Sequence, residues 1–160
     1  MPILSWRSVG IGVASTLSMD ILSGVALKVR LISPLPPYLV GRWFGSAARG
    51  HPVHADIATA PPANHEMVIA LLGHYVIGIT LTSLYLWGMS ALGSPPNASS
   101  AIAFGLCTNA LPWLIMFPAM GYGFFGQHGP PGTRLLVSSA ITHACFGVGL
   151  WIASALLWRA

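Results

Sequence analysis

Residues 67–91, MVIALLGHYVIGITLTSLYLWGMSA, decide the class of this chain. The stretch contains no Asp, Glu, Lys or Arg, and a helix that crosses the hydrocarbon core of a bilayer needs about 20 mostly apolar residues. It therefore predicts a transmembrane helix. It also places a histidine, His74, at a depth where water is scarce.

Three further segments, at about 8–28, 99–124 and 134–158, have the same character. The chain is 54% hydrophobic and 6% charged, which is typical of an integral membrane protein. The first segment is interpreted as an uncleaved helix rather than a signal peptide, because it contains Asp20 and lacks an obvious cleavage site. We predict an all-α protein with a single membrane domain, residues 1–160, folded as a four-transmembrane-helix bundle.

The basic residues predict the orientation of the bundle, since cytoplasmic connections carry the excess of Lys and Arg. Five of the seven lie by the first and third connections, at Lys28, Arg30, Arg42, Arg49 and Arg134, against Arg7 and Arg159 at the termini. Both termini are therefore predicted to be periplasmic. The net charge of +4 is too small to indicate nucleic-acid binding and suits anionic lipid headgroups.

The first connection, residues 29–66, is long and is predicted to be cytoplasmic. Its prolines end the first helix, and residues 38–47 have the pattern of a short amphipathic helix lying in the membrane interface. The following stretch, HPVHADIATAPPANHE, holds three histidines, but their spacing matches no standard zinc pattern. A solvated loop is the simpler interpretation.

A pattern of two prolines, eleven residues, a histidine, three residues and a glycine occurs twice, at Pro61-Pro62 with His74 and Gly78, and at Pro130-Pro131 with His143 and Gly147. The two helices concerned run in the same direction. The pattern is consistent with two related helical hairpins, and chance repetition is the alternative.

Three ionisable residues are predicted to share one depth in the membrane. Asp20, His74 and His143 lie eight, seven and nine residues from the ends of their segments at the side of the first connection, or roughly 10–14 Å at the rise of an α-helix. Each also lies on a stripe of small or polar residues, which favours the bundle interior. We expect one polar cluster, with interhelical hydrogen bonding alone as the structural alternative.

A charge at mid-bilayer costs about 2.5–3.5 kcal/mol on insertion scales. Asp20 is therefore expected to stay protonated, to pair with a cationic His74 or His143, or to bind a cation. Two histidines and a carboxylate suit a divalent metal such as iron, and two histidines on parallel helices suit axial ligation of haem. The cofactor, if any, stays open between these.

Several motifs together resemble a known family: MD in the first span, VGRWFG in the loop, APPANHE before the second span, GHY within it and THACFG in the fourth. This combination is similar to the domain of unknown function family 2938 of bacterial inner-membrane proteins. The resemblance implies a multi-pass protein of the bacterial inner membrane and supplies no activity. The matching positions are Asp20, Arg42, Trp43, Glu66, His74, Tyr75 and His143.

Two charged residues near the cluster have predicted roles. Glu66, with His65, begins the second helix and is expected to lie above the cluster and to pass protons or cations to it. Arg42 is expected either to meet an anionic headgroup or substrate, or to be an ordinary positive-inside arginine. In the third span, Pro112 lacks a backbone donor and weakens the helix near residue 108, and Asn109 is expected to lie deeper than the cluster.

Three functions remain open, because the sequence has no GxSxG, P-loop, dinucleotide-binding or HExxH motif. The first is a site for a proton, metal ion or small ligand, with transport as one use of it, and it ranks slightly above the second, an enzyme acting on a lipid-soluble substrate. The third is an accessory structural subunit of a membrane complex. Besides the lipid bilayer, a second copy of the chain is a predicted partner. The two copies would pack through Gly10 and Ala14 or through Ala101 and Gly105.

Overall fold

The computed structural model describes residues 4–130 and 133–158. These residues form five helices: α1 (Trp6–Lys28), α2 (Pro37–Ala47), α3 (Glu66–Ala91), α4 (Ala98–Ala119) and α5 (Thr133–Leu157). No strand occurs within the described ranges. All but α2 are long and apolar enough to cross a membrane. The predicted all-α fold with four such helices is confirmed.

Local sequence explains where the helices begin and end. Ser5 and Asn97 cap the starts of α1 and α4 through capping boxes, and α2 starts with a proline at its first position. The third apolar segment is helical only to Ala119, whereas the sequence predicted helix to residue 124. Gly121 and Gly123 have φ angles of 89° and 70°, a conformation that interrupts a right-handed helix.

The short helix predicted within the first connection is present as α2, and it packs against the start of α3. The two helices approach closely at Gly41, where a side-chain carbon would lie 2.6 Å from the carbonyl carbon of Glu66. The end of the bundle that carries α2 is called the α2 end below. The opposite end, where α1 begins and α5 finishes, is called the terminal end.

The four long helices are arranged with α1 and α5 as central neighbours. Helix α3 packs on the other side of α1, and α4 packs on the other side of α5. Each crossing uses small residues, which let helix backbones approach closely. The close pairs are Gly78 with Thr16, Gly12 with Ile79, Gly149 with Ser15, and Gly105 with Gly147.

Two hydrophobic clusters hold the ends of the bundle. The cluster nearer the terminal end joins all four long helices through Ile11, Tyr85, Leu86, Met89, Ala101, Phe146, Leu150 and Ala153. The cluster at the α2 end joins α2 and the first connection to α4, α5 and the turn between them, through Leu39, Ile57, Phe117, Met120, Tyr122 and Leu135. Helix α3 therefore meets α4 near the terminal end, where the Tyr85 hydroxyl lies 2.8 Å from that of Ser100. At the α2 end, α2 and the first connection pack against α4 instead.

Helix α4 is irregular in its middle, as the position of Pro112 in the sequence predicts. Regular α-helix runs over Ala98–Cys107, a π-helix covers Pro112–Met116, and an α-helical turn, Phe117–Ala119, follows. The irregular part is therefore centred on residues 108–116, the region of the weakened helix ladder.

The two small-residue pairs predicted for dimerisation have different surroundings. Ala101 and Gly105 are buried, and Gly105 packs against Gly147 of α5 within the chain. Nothing lies within 4 Å of a side-chain carbon built at Gly10. The Ala101 and Gly105 pair is thus used inside the bundle. Of the other pair, Gly10 is exposed, whereas Ala14 is partly buried against the cluster near the terminal end, and dimerisation through this pair stays a prediction.

Candidate functional site

Asp20 of α1 lies against His74 and Tyr75 of α3. One carboxylate oxygen is 2.9 Å from His74 Nε2, and the other accepts a hydrogen bond of 3.1 Å from the Tyr75 hydroxyl. The two rings meet edge to face, with centroids 5.6 Å apart. The sequence predicted that Asp20 and His74 would lie at one depth, and this contact is consistent with it.

The crossing of α1 and α3 brings these residues together. Thr16 packs on Gly78, which has no side chain to hold the helices apart. The two helices are antiparallel, so one turn further along α1 from Thr16 corresponds to one turn back along α3 from Gly78. That step leads from the close crossing to Asp20 on one helix and His74 on the other.

The pair is not sealed inside the fold. The side chains of His74 and Asp20 are 35% and 40% exposed on the surface of the chain. A hydrogen-bonded pair that only joined two helices would be expected to be enclosed, because polar groups facing hydrocarbon are costly. Asp20 and His74 can thus be reached from outside the chain.

His143 has a different partner. Its Nδ1 lies 2.6 Å from the Thr108 hydroxyl of α4. One turn nearer the α2 end, Ser139 donates a hydrogen bond of 2.8 Å to the side-chain oxygen of Asn109, which is 1% exposed. Asn109 therefore lies level with Ser139 and not deeper than the predicted cluster, because the irregular segment of α4 turns it toward α5.

The repeated pattern of the sequence corresponds to a repeated arrangement. In each hairpin the histidine contacts a polar side chain of the partner helix, Asp20 for His74 and Thr108 for His143. In each hairpin the glycine four residues later packs directly on that same helix. Pro131 of the second pattern lies outside the described residues, and descent of the hairpins from one ancestor stays a prediction.

The predicted metal site comprises Asp20, His74 and His143. Among the residues that the structure describes, no group of three or more His, Cys, Asp or Glu side chains is arranged to hold a metal ion. The two histidines instead make separate contacts, one with Asp20 and one with Thr108. Metal or haem binding stays a prediction.

Glu66 begins α3, about two turns from His74 toward the α2 end, and its carboxylate binds Arg42; transfer of protons or cations from Glu66 to the cluster stays a prediction. Arg42 Nε donates to one carboxylate oxygen at 2.6 Å, and a second guanidinium nitrogen lies 3.3 Å from the other oxygen. The backbone N–H of Ala63 also donates to Glu66, at 2.8 Å. Both oxygens of the Glu66 carboxylate thus accept hydrogen bonds from α2 or from the first connection.

Arg42 is likewise unavailable to a headgroup or substrate. Its side chain is 10% exposed, and its third nitrogen donates to the carbonyl oxygens of Ala58 and Ala60 at 3.0 and 3.1 Å. The hydrogen bonds that Arg42 donates to the Glu66 carboxylate raise the pKa of Arg42 above its usual value, against the effect of burial. Arg42 and Glu66 therefore fasten α2 and the first connection to α3.

The arrangement around Asp20 can hold one proton at either of two places. The imidazole can donate to an ionised carboxylate, or a protonated carboxyl group can donate to a neutral imidazole. The Tyr75 hydroxyl donates to the other oxygen of the same carboxylate. A site of this kind can accept and release a proton with little movement of heavy atoms.

Comparison with known proteins identifies a family and no activity. The family model for a protein of unknown function, DUF2938, matches residues 9–157, which include every candidate site residue named above. No curated protein and no solved structure matches the chain.

Proposed function

Because the chain belongs to the DUF2938 family of proteins of unknown function, we propose a function from its own site, which is proton-linked transport of a small solute by a multi-pass membrane protein. Asp20 is the proton-binding group, and His74 and Tyr75 are its partners. The basic residues and the resemblance support the bacterial inner membrane, with both termini in the periplasm. Arg159, one of the residues behind that orientation, lies outside the described residues.

One observation carries this proposal: the Asp20 carboxylate contacts two partners and is still 40% exposed. Ionisable groups within membrane spans commonly mark the paths of protons or substrates. Exposure on the surface of the chain leaves the carboxylate within reach of a second molecule. The paired imidazole keeps the site neutral overall when the carboxylate is ionised and the imidazole protonated.

We expect Asp20→Asn to abolish reversible proton binding at the site. The chain has three acidic side chains, Asp20, Asp56 and Glu66, so infrared difference spectra recorded across a pH titration can be assigned by substitution. The wild-type protein should show a carboxyl band that appears as the pH falls, and Asp20→Asn should remove it. His74→Gln should change the frequency of that band, because the carboxyl group loses its imidazole hydrogen-bond partner.

Asp56→Asn is the matched control, since it removes an exposed acid from the first connection. It should leave the assigned band in place. Identical difference spectra for the wild type and Asp20→Asn would contradict proton binding by Asp20. A lowered thermal midpoint in Asp20→Asn and His74→Gln, with unchanged spectra, would instead support the packing alternative.

The transport step is tested in vesicles that contain the purified protein and a pH-sensitive dye. A proton gradient imposed across the vesicle should drive uptake of solutes from a mixture of small metabolites, read out by mass spectrometry of the vesicle contents. Uptake should vanish in Asp20→Asn and persist in Asp56→Asn. Uptake that is equal in the wild type and in Asp20→Asn would overturn the role of Asp20 in transport.

The exposure of the site also favours a second candidate, an enzyme acting on a lipid-soluble substrate. Leu17 and Ile21 are exposed on α1 beside Asp20, so an apolar molecule in the bilayer can reach the pair, and His74 would act as acid or base. Incubation with a bacterial lipid extract should then convert one component in a manner lost in His74→Ala. An unaltered extract would count against this candidate.

A further inference from the structure

A groove at the α2 end lies between the end of α1 and the start of α5. Arg30 and Arg134 line it together with the apolar side chains of Leu27, Leu31 and Val137. The backbone N–H of Ser33 donates to the Ser138 hydroxyl at 2.8 Å, which fixes the segment after α1 against α5. Two positive charges and an apolar surface therefore share one cleft.

Arg30 has an unusual backbone conformation for its residue type. Its φ angle is 59°, and hydrogen bonds from Arg30 N to Leu27 O and from Leu31 N to Ala26 O, 3.0 and 2.9 Å long, form the Schellman arrangement that ends α1. Glycine is the usual residue at this position, because other residues are strained there. Strained residues concentrate at functional sites, so the side chain of Arg30 calls for an explanation.

The acids of the chain are occupied elsewhere. Asp20 contacts His74 and Tyr75, Glu66 binds Arg42, and Asp56 caps the turn that starts at Ile57. Within residues 4–130 and 133–158, no acidic side chain forms an ion pair with Arg30 or Arg134. Both guanidinium groups are thus available to an anion from outside the chain.

The apolar side chains of the groove indicate what kind of anion fits. Leu27, Leu31 and Val137 are 51%, 62% and 54% exposed. A soluble phosphate would leave this apolar surface uncovered, whereas a phospholipid brings both a phosphate and acyl chains. The groove also lies where two membrane-spanning helices reach one end of the bundle.

We propose that this groove binds an anionic phospholipid, with the headgroup phosphate between Arg30 and Arg134 and an acyl chain along Leu27, Leu31 and Val137. Guanidinium groups suit phosphate because they offer paired donors in a planar fork. This inference does not depend on the proposed transport function.

Native mass spectrometry of the detergent-purified protein tests the site. The probes are dioleoylphosphatidylglycerol and dioleoylphosphatidylcholine, which share their acyl chains and differ in headgroup charge. The wild type should retain the anionic lipid in preference. The double variant Arg30→Gln with Arg134→Gln should lower its affinity by a factor on the order of ten to thirty, since a basic residue near a membrane surface contributes about 1 kcal/mol, or about fivefold.

Arg49→Gln is the matched control, because Arg49 is exposed at the same end but lines a different hollow. It should leave lipid retention unchanged. Equal retention of the two lipids by the wild type, or undiminished preference in the double variant, would overturn the proposal. Displacement of the anionic lipid by excess inorganic phosphate would assign the groove to a soluble anion instead.

Arg30→Gly separates binding from folding. Glycine removes the guanidinium group and also relieves the backbone strain. This variant should bind the anionic lipid more weakly and have a thermal midpoint at least as high as the wild type. A lowered midpoint together with intact lipid preference would show that Arg30 serves the helix end and not a ligand.

Discussion

Replacing Glu66 with alanine is expected to release α2 and the first connection from α3 and to lower the free energy of unfolding by about 3 kcal/mol. The substitution leaves the buried guanidinium of Arg42 without its counter-ion, and breaking a buried ion pair costs about 3–5 kcal/mol. We use the lower end of that range because both side chains keep some exposure, 10% and 12%. Thermal unfolding in detergent and limited proteolysis of the connection would measure the effect.

The control for Glu66→Ala is Asp56→Asn, which removes an exposed acid from the same connection. It should change the thermal midpoint little. A double variant, Arg42→Leu with Glu66→Leu, should recover part of the lost stability, because no unpaired charge remains. If Glu66→Ala unfolds at the wild-type temperature and its connection resists proteolysis equally, the fastening role of the ion pair is wrong.

Replacing Gly147 with leucine is expected to separate α4 from α5 and to destabilise the protein by about 3 kcal/mol, the upper part of the usual range for overpacking. A side-chain carbon at this position would lie 2.7 Å from the Ile102 Cα and 2.8 Å from the Ala101 carbonyl oxygen. These are backbone atoms, so one helix must move. The contact between His143 and Thr108, one turn away, should be lost as well.

Gly88→Leu provides the comparison for Gly147→Leu. Gly88 lies in a long helix, and nothing is within 4 Å of a side-chain carbon built there. This variant should be as stable as the wild type or slightly more stable, because leucine is the better helix former. Equal midpoints for the two leucine variants would contradict close packing of α4 on α5 at Gly147.

The parts of the fold that the sequence predicts are those set by one segment at a time. Apolar length alone predicts the four long helices, and the amphipathic pattern of residues 38–47 predicts α2. The contact between Asp20 and His74 was predictable because depth can be counted in residues along each helix. Tyr75 follows His74 in the sequence, and the family resemblance marked both.

What the sequence could not supply is which helices are neighbours and how their faces are turned. The pairing of Arg42 with Glu66 needs α2 to dock on α3, and a residue count does not reveal that docking. The contact of His143 with Thr108 depends on the crossing of α4 and α5 at two glycines. The available signal was Gly41, directly before Arg42, which allows the close approach that buries the arginine.

The π-helix Pro112–Met116 also has a consequence for changes in chain length. A π-helical turn contains one residue more than an α-helical turn, so it offsets the faces of the flanking segments by about 100°. In α4 the offset lets Asn109 face Ser139 while Phe117 and Met120 fill the cluster at the α2 end. Deleting one residue between 112 and 116 would therefore keep either the contact of Asn109 with Ser139 or the packing of Phe117 and Met120, but not both. We expect α4 to tolerate a substitution within this turn better than the deletion of one of its residues.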